Sequence, residues 1–374
     1  MTLNMTFQLL TVKPAPEMLT SYQKLSDMGR KIFTYGEEFI TGKGEILKNL
    51  KIAYHTYGKL NREKDNVVWV CHALTGSSDV FEWWPGLFGR NELFNPDEHF
   101  IICANIPGSC YGSTGPLSYN QETDKPYFHD FPDITVRDIV VALDLLRKHL
   151  GIEKIRIMIG GSLGGFQALE WAILRPEIID QLVLIACGAK ISPWAVAFNE
   201  SQRMAIEGDP SWKEESSEAG LEGMKTARSI ALLSYRNYLT YKESQAEPSD
   251  ELPETFKASS YQRYQGLKLS KRFNAFSYHI LTRVLDSHNV GRNRKSVSDA
   301  LSRISAKTTI IGISTDLLFP AVEQKYLAST IKNAEYFEIN SLYGHDGFLT
   351  ETSKISRLLA GITRTQAVLE PCLI

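Results

Sequence analysis

Cysteine is scarce in this chain. The five present, Cys71, Cys103, Cys110, Cys187 and Cys372, are odd in number, scattered over 374 residues and without C-x-x-C spacing. That argues against a disulfide framework or a zinc ribbon and for reduced, mostly buried thiols. A surplus of one charge is missing as well. Lys and Arg number 41 against 43 Asp and Glu, a net charge of −2, so neither nucleic acid nor an anionic membrane surface is an expected partner. No apolar run reaches the roughly 18 residues of a membrane span. Met1 to Pro16 shows no basic region running into an apolar stretch, so no secretory signal is expected and a cytoplasmic location is. The glycine-rich loop from Pro107 to Pro116 lacks a lysine at the phosphate-loop position, which disfavours a nucleotide ligand. No metal ligands or resident cofactor are expected.

What remains is an ordinary globular composition, 43% hydrophobic and 22% charged, in a chain long enough to bury a large core. Short alternating runs between residues 31 and 60, broken at Gly36 and at Thr41-Gly42-Lys43-Gly44, predict antiparallel strands ahead of the main sheet. Continuous apolar runs then follow at 66–72, 99–105, 155–159, 180–187 and 308–313. Runs of that kind belong in parallel strands covered on both faces. Helical spacing of Val136, Ile139, Val140, Leu143, Leu146 and Leu150, closed by Gly151, separates two of them. Alternation of strand and helix predicts an α/β chain with a mostly parallel sheet and helices on both faces.

The segment from Ile155 to Ala172 joins a β-branched run, Gly160-Gly161-Ser162-Leu163-Gly164, and an Ala/Leu-rich helical pattern. A G-x-S-x-G between strand and helix places a serine hydroxyl on a tight turn, and the flanking glycines leave room for it. The helix start turns unsatisfied N–H groups and a positive dipole end toward that serine. The first candidate oxyanion donor is the Leu163 N–H. The second is the Leu74 N–H, in the small-residue loop His72-Ala73-Leu74-Thr75-Gly76 that ends an earlier buried strand. Further on, Asp316 follows one buried strand and His345 follows the last, in a glycine-flanked loop. Ser162, Asp316 and His345 thus occur in the chain order of α/β-hydrolase triads.

Between those strands the character changes. Residues 191–303 lack central-strand runs and are read as a helical lid, with 1–190 and 304–374 forming the core. Within it Arg228 and Tyr235 stand two helical turns apart and share a face. An arginine on an otherwise apolar helix is suited to clamping a carboxylate, or to pairing with a structural acid.

Together these residues resemble the homoserine O-acetyltransferase family of methionine biosynthesis, an α/β-hydrolase-fold group. The resemblance runs almost end to end, through Tyr54-His55-Thr56-Tyr57-Gly58, Cys71-His72-Ala73-Leu74-Thr75-Gly76, Gly112-Ser113-Thr114-Gly115-Pro116, the elbow, Ser234-Tyr235-Arg236, Asp316-Leu317-Leu318-Phe319-Pro320 and Gly344-His345-Asp346-Gly347-Phe348. It implies Ser162 as nucleophile, His345 as base and Asp316 as third member. It further implies Arg228 on the homoserine carboxylate, Tyr235 beside it, and Asp346 on the amino group. Acetyl-CoA would be the co-substrate, L-homoserine the acceptor, and the assembly a homodimer formed through the lid. Leu163 and Phe166 depart from the methionines common in the family, as does Ser77-Ser78-Asp79 after the oxyanion loop, and these positions are expected on the acyl-CoA side. Homoserine O-succinyltransferase, serine O-acetyltransferase and a plain esterase are the alternatives.

Overall fold

The structure, a computed structural model, describes residues 29–363. Cys372 and the segment from Met1 to Pro16 lie outside the described residues. Eight strands form the main sheet: β1 Lys31–Thr34, β2 Lys51–Tyr57, β3 Val67–Cys71, β4 Phe100–Ala104, β5 Ile155–Gly161, β6 Ile179–Ile185, β7 Lys307–Ile313 and β8 Ala334–Ile339. Their order is β1-β2-β4-β3-β5-β6-β7-β8. From β4 to β8 every pairing is parallel, and only β2 runs against its neighbours. Of the early antiparallel strands, β1 and β2 are the edge of the main sheet, joined to β4 through β2, while Phe39–Ile40 and Ile46–Leu47 pair as a separate two-stranded sheet.

The apolar runs account for this layout. All five residues of β3 are buried, as a strand covered on both faces requires. On one face lie α1 (Val136–His149), α2 (Leu163–Leu174) and, near the far edge, Leu327 of α8 (Ala321–Thr330). Trp171 of α2 meets Trp69 of β3 edge to face, ring centroids 5.0 Å apart. The other face is filled by Trp84, Phe88, Phe94 and Phe348 with Ile355 and Leu359 of α9 (Thr352–Thr363). Helix α1 begins where its sequence says it should. Thr135 caps the Asp138 N–H while the Asp138 carboxylate accepts from the Thr135 N–H at 2.8 Å, a reciprocal capping box.

Between β6 and β7 the chain leaves the sheet for α3 (Pro193–Glu207), α4 (Leu221–Tyr235), α5 (Tyr238–Ser244), α6 (Lys257–Ser270) and α7 (Ala275–Asp286). Helix α4 packs between α3 and α6. The outgoing and returning connections pair with each other: Ile191 N–H donates to His288 O at 2.9 Å and Val290 N–H to Ala189 O at 3.0 Å. This short ladder fixes where the helical segment sits over the carboxyl ends of the strands, which is where ligands bind in open α/β sheets.

Candidate active site

Ser162 follows β5, Asp316 follows β7 and His345 follows β8, so the fold brings three residues far apart in sequence to one end of the sheet. All three are buried. Ser162 has φ 56° and ψ −125°, a strained conformation for a non-glycine residue. The turn around it brings neighbouring backbones very close. A Cβ on Gly160 would stand 2.2 Å from Gly164 O, and one on Gly164 would stand 2.0 Å from Cys71 O. Gly161 is equally constrained, its Cβ position lying 2.5 Å from the Phe348 ring.

The three side chains form one hydrogen-bonded line. His345 Nε2 lies 2.9 Å from Ser162 Oγ and Nδ1 lies 2.7 Å from Asp316 Oδ2. The other Asp316 oxygen accepts from the Leu318 and Phe319 N–H groups at 2.8 and 2.9 Å. An acid fixed by two backbone donors sets the imidazole tautomer: Nδ1–H donates to Asp316, and Nε2 is left to accept from the serine hydroxyl. Burial alone would push the His345 pKa down. The charge and hydrogen bond of Asp316, with a smaller contribution from Asp346, outweigh it and hold the pKa above the usual histidine value. The imidazolium is stabilised as it forms. Leu163 opens α2, so its N–H is one of the donors the helix cannot satisfy itself. The Leu74 N–H also donates to no group among the described residues.

Helix α4 ends directly above this line. Gly344, at φ +60°, carries the His345 loop so close beneath it that a Cβ there would lie 2.8 Å from Tyr235 O. The Tyr235 ring stands 5.7 Å from the His345 ring, and the Arg228 guanidinium lies over Tyr235 at 5.4 Å from its centroid. Among the described residues Arg228 forms no ion pair and no hydrogen bond. The structural alternative for this arginine, an acid within ion-pair reach, is not found among the described residues. Asp346, next to His345, does have a partner: its Oδ2 lies 3.0 Å from Arg236 Nε, an ion pair without an aligned hydrogen bond.

An alpha/beta hydrolase fold model matches residues 66–352. A homoserine O-acetyltransferase of Cyclobacterium marinum is 49% identical over 333 residues, covering 89% of this chain and 95% of that one. The chain belongs to the homoserine O-acetyltransferase family. Two solved structures show how little the fold alone decides. Homoserine O-acetyltransferase from Bacillus anthracis superimposes with a TM-score of 0.82 at 23% identity, over 90% of this chain and 97% of that one. Esterase E22 does so with 0.81 at the same 23%, over 90% and 99%.

Within a homoserine O-acetyltransferase, the residues around the serine take on more definite places than the sequence reading gave them. Leu163 and Phe166, expected on the acyl side, are packed within the protein. Both are fully buried, because α2 is covered along nearly its whole length. Phe166 stacks on His288 with ring centroids 3.8 Å apart and meets Phe319 edge to face. Of the departing loop, Ser78 Oγ engages His55 and Asn105, each at 2.8 Å, and Asp79 accepts from the Tyr57 hydroxyl at 2.6 Å; these residues brace the loop from behind. Sequence reasoning missed Arg236, although it stands in a quoted motif, and it missed Tyr278, which is fully buried on α7 and donates to Gln202 Oε1 at 2.6 Å. It also missed Glu323, whose carboxyl is pushed up to about 7 by burial and by the charge of Asp316. Nothing local marks Arg236 or Tyr278, because each acquires its partner from a distant segment, Asp346 of the core and Gln202 of α3; Glu323 is set apart only by its burial and by the charge of Asp316. Among the described residues no group of three or more His, Cys, Asp or Glu is placed to hold a metal ion, and no helix is long and apolar enough to cross a membrane.

Proposed function

We propose that this chain transfers an acetyl group from acetyl-CoA to the hydroxyl of L-homoserine, a step of methionine biosynthesis, through an acyl-serine intermediate. Ser162 Oγ attacks the thioester carbonyl as His345 Nε2 takes its proton. The tetrahedral oxyanion sits between the Leu74 and Leu163 N–H groups. Collapse of this intermediate breaks the C–S bond, and the CoA thiolate leaves with the proton from His345. Homoserine then gives its hydroxyl proton to the same nitrogen and attacks the acetyl-serine. A second oxyanion forms and collapses, releasing O-acetylhomoserine as Ser162 recovers its proton. Asp316 orients the imidazole throughout. The cycle needs acetyl-CoA as co-substrate and no resident cofactor.

The observation that carries the reading is Arg228. A guanidinium without an anionic partner among the described residues, two helical turns from a tyrosine that touches the triad histidine, suits an acceptor bearing a carboxylate. Asp346, paired with Arg236, supplies the opposite charge for the amino group. An acceptor that fills this space keeps water from the acyl-enzyme, and this separates a transferase from an esterase on the same fold. The test is thiol release from acetyl-CoA and from succinyl-CoA, each with homoserine, with serine and with neither. Turnover confined to acetyl-CoA plus homoserine supports the reading; release from acetyl-CoA at one rate whatever the acceptor would replace it with hydrolysis. A homodimer through the helical segment belongs to the same reading, with Leu233, Tyr238 and Leu239 exposed on it. Sedimentation measures it directly.

A further inference from the structure

The loop that carries Leu74 is held by a histidine the chemistry above does not use. His72 follows β3 and is fully buried. Its Nε2 lies 3.1 Å from Ile106 N. A backbone N–H can only donate, so Nε2 accepts and the ring proton sits on Nδ1. Nδ1, 2.8 Å from Ala73 O, therefore donates to that carbonyl, and the Gly76 N–H donates to it as well, at 2.9 Å. Ala73 C=O and Leu74 N–H belong to one planar trans peptide unit and point in opposite directions. Two donors that fix the carbonyl thereby fix the direction of the N–H. From below, Gln167 Nε2 donates to His72 O at 3.0 Å and to Leu163 O at 3.2 Å. That amide ties the loop to the helix whose first N–H belongs to Leu163. Burial pushes the His72 pKa down to about 4, so the ring stays neutral, with the same tautomer, through the neutral range.

We propose that His72 is a positioning residue of the oxyanion hole: through the Ala73 carbonyl it aims the Leu74 N–H at the acyl oxygen, while Gln167 holds the two donors in register. The inference rests on the acyl-serine reading of Ser162. An oxyanion forms in both half-reactions, so a misaimed donor slows both by one factor, whereas loss of an acceptor-binding residue slows only the second.

The experiment compares His72→Leu, which loses both ring hydrogen bonds, with His72→Asn, whose amide keeps a donor near the Nδ1 position. It reads acylation by p-nitrophenyl acetate, deacylation by homoserine, and inhibition by methylboronic acid, whose tetrahedral adduct on Ser162 carries an oxyanion. His72→Leu is expected to lose about 10- to 100-fold in both rates and in boronic acid affinity, with KM for homoserine unchanged; His72→Asn recovers most of the loss. A folded His72→Leu with unchanged acylation and boronic acid affinity overturns the proposal, as do equal losses in the two variants. If His72→Leu does not fold, Gln167→Met releases the His72 carbonyl and leaves the ring in place. It is expected to show the same paired loss at roughly 3- to 10-fold, and unchanged boronic acid affinity there overturns the proposal. The ester and boronic acid arms need neither CoA nor homoserine. A wild-type chain that the ester fails to acylate therefore contradicts the acyl-serine reading itself, whereas normal acylation without transfer contradicts only the choice of acceptor.

Discussion

The floor of the site and its roof are built on opposite terms. On the floor, Ser162, His345 and Asp316 have partners in place, and the acid is held by two further backbone donors. On the roof, Arg228 lies over Tyr235 without an anionic partner among the described residues, and Asp346 meets Arg236 in an ion pair that lacks an aligned hydrogen bond. The floor is organised in advance for a charge that exists only while a bond is being made. The roof keeps its charges for those a substrate brings. Floor changes should therefore cost rate with any acyl donor, and roof changes should cost affinity for one acceptor.

The largest effects test the floor. Ser162→Ala is expected to reduce thiol release from acetyl-CoA by about five to six orders of magnitude. It should also abolish the acetylated enzyme species seen by intact-protein mass spectrometry. Asp316→Asn keeps the shape but lets the imidazole take the wrong tautomer, and is expected to lower kcat about 10⁴-fold with KM little changed. Retention of an acetylated species in Ser162→Ala would move the nucleophile elsewhere. The next test concerns the ground the floor stands on. Gly164→Ala places a methyl 2.0 Å from Cys71 O, a backbone atom that cannot swing aside. A loss on the order of 3–5 kcal/mol in denaturant unfolding is expected. Gly36, whose added Cβ would meet nothing within 4 Å, should tolerate the same change and serves as the control.

The same contrast governs what the sequence made legible. The strand, the elbow and the helix that present Ser162 are adjacent in the chain, and their apolar runs and glycines announce them. The order Ser162, Asp316, His345 could be read for a related reason: each stands just past a strand, and strand ends converge in a parallel sheet. The roof has no such rule. Arg228 and Tyr235 could be placed on one helical face, but whether a structural acid neutralised the arginine was a question about other elements, answered only by the fold. Arg236 and Tyr278 acquire meaning through partners on distant segments, so no periodicity reveals them, and Glu323 through a burial that only the fold supplies. Leu163 and Phe166 stood out in the sequence as departures from the family pattern, and the fold adds that both are fully buried. On a buried helix, the residues after the nucleophile point into protein.

A middle-sized effect tests the roof. Arg228→Ala removes a charge-assisted contact made in both ground and transition states. The KM for homoserine is expected to rise about 10- to 100-fold, while the pre-steady-state burst of thiol from acetyl-CoA stays within about threefold. Equal loss in the two half-reactions would place Arg228 on the floor and dissolve the contrast.

The smallest effect separates the histidines by pH. His345 is buried, which disfavours its charged form, and is lifted above the ordinary histidine value of 6.5 only because Asp316 and Asp346 outweigh that cost. A base must be neutral to act, so the acid limb of the acylation rate is expected above pH 6.5. In Asp316→Asn, where burial outlasts its largest compensation, the limb should move to lower pH even as the rate falls. His72 and His288 behave in the opposite sense. Buried and paired only with backbone groups, both are pushed down to about 4. The unfolded chain takes up those two protons near 6.5 and the folded chain resists until about 4, so stability is lost as pH falls across that window, by up to about 3 kcal/mol for each group. The raised pKa values of His345 and Glu323 work the other way, adding stability at low pH that disappears as pH rises through their folded values. Urea unfolding of the parent and of His288→Phe at pH 7 and pH 4.5 isolates one histidine, and the parent is expected to lose more stability between the two pH values. A parent that loses no more than the variant would mean that His288 is charged in the fold.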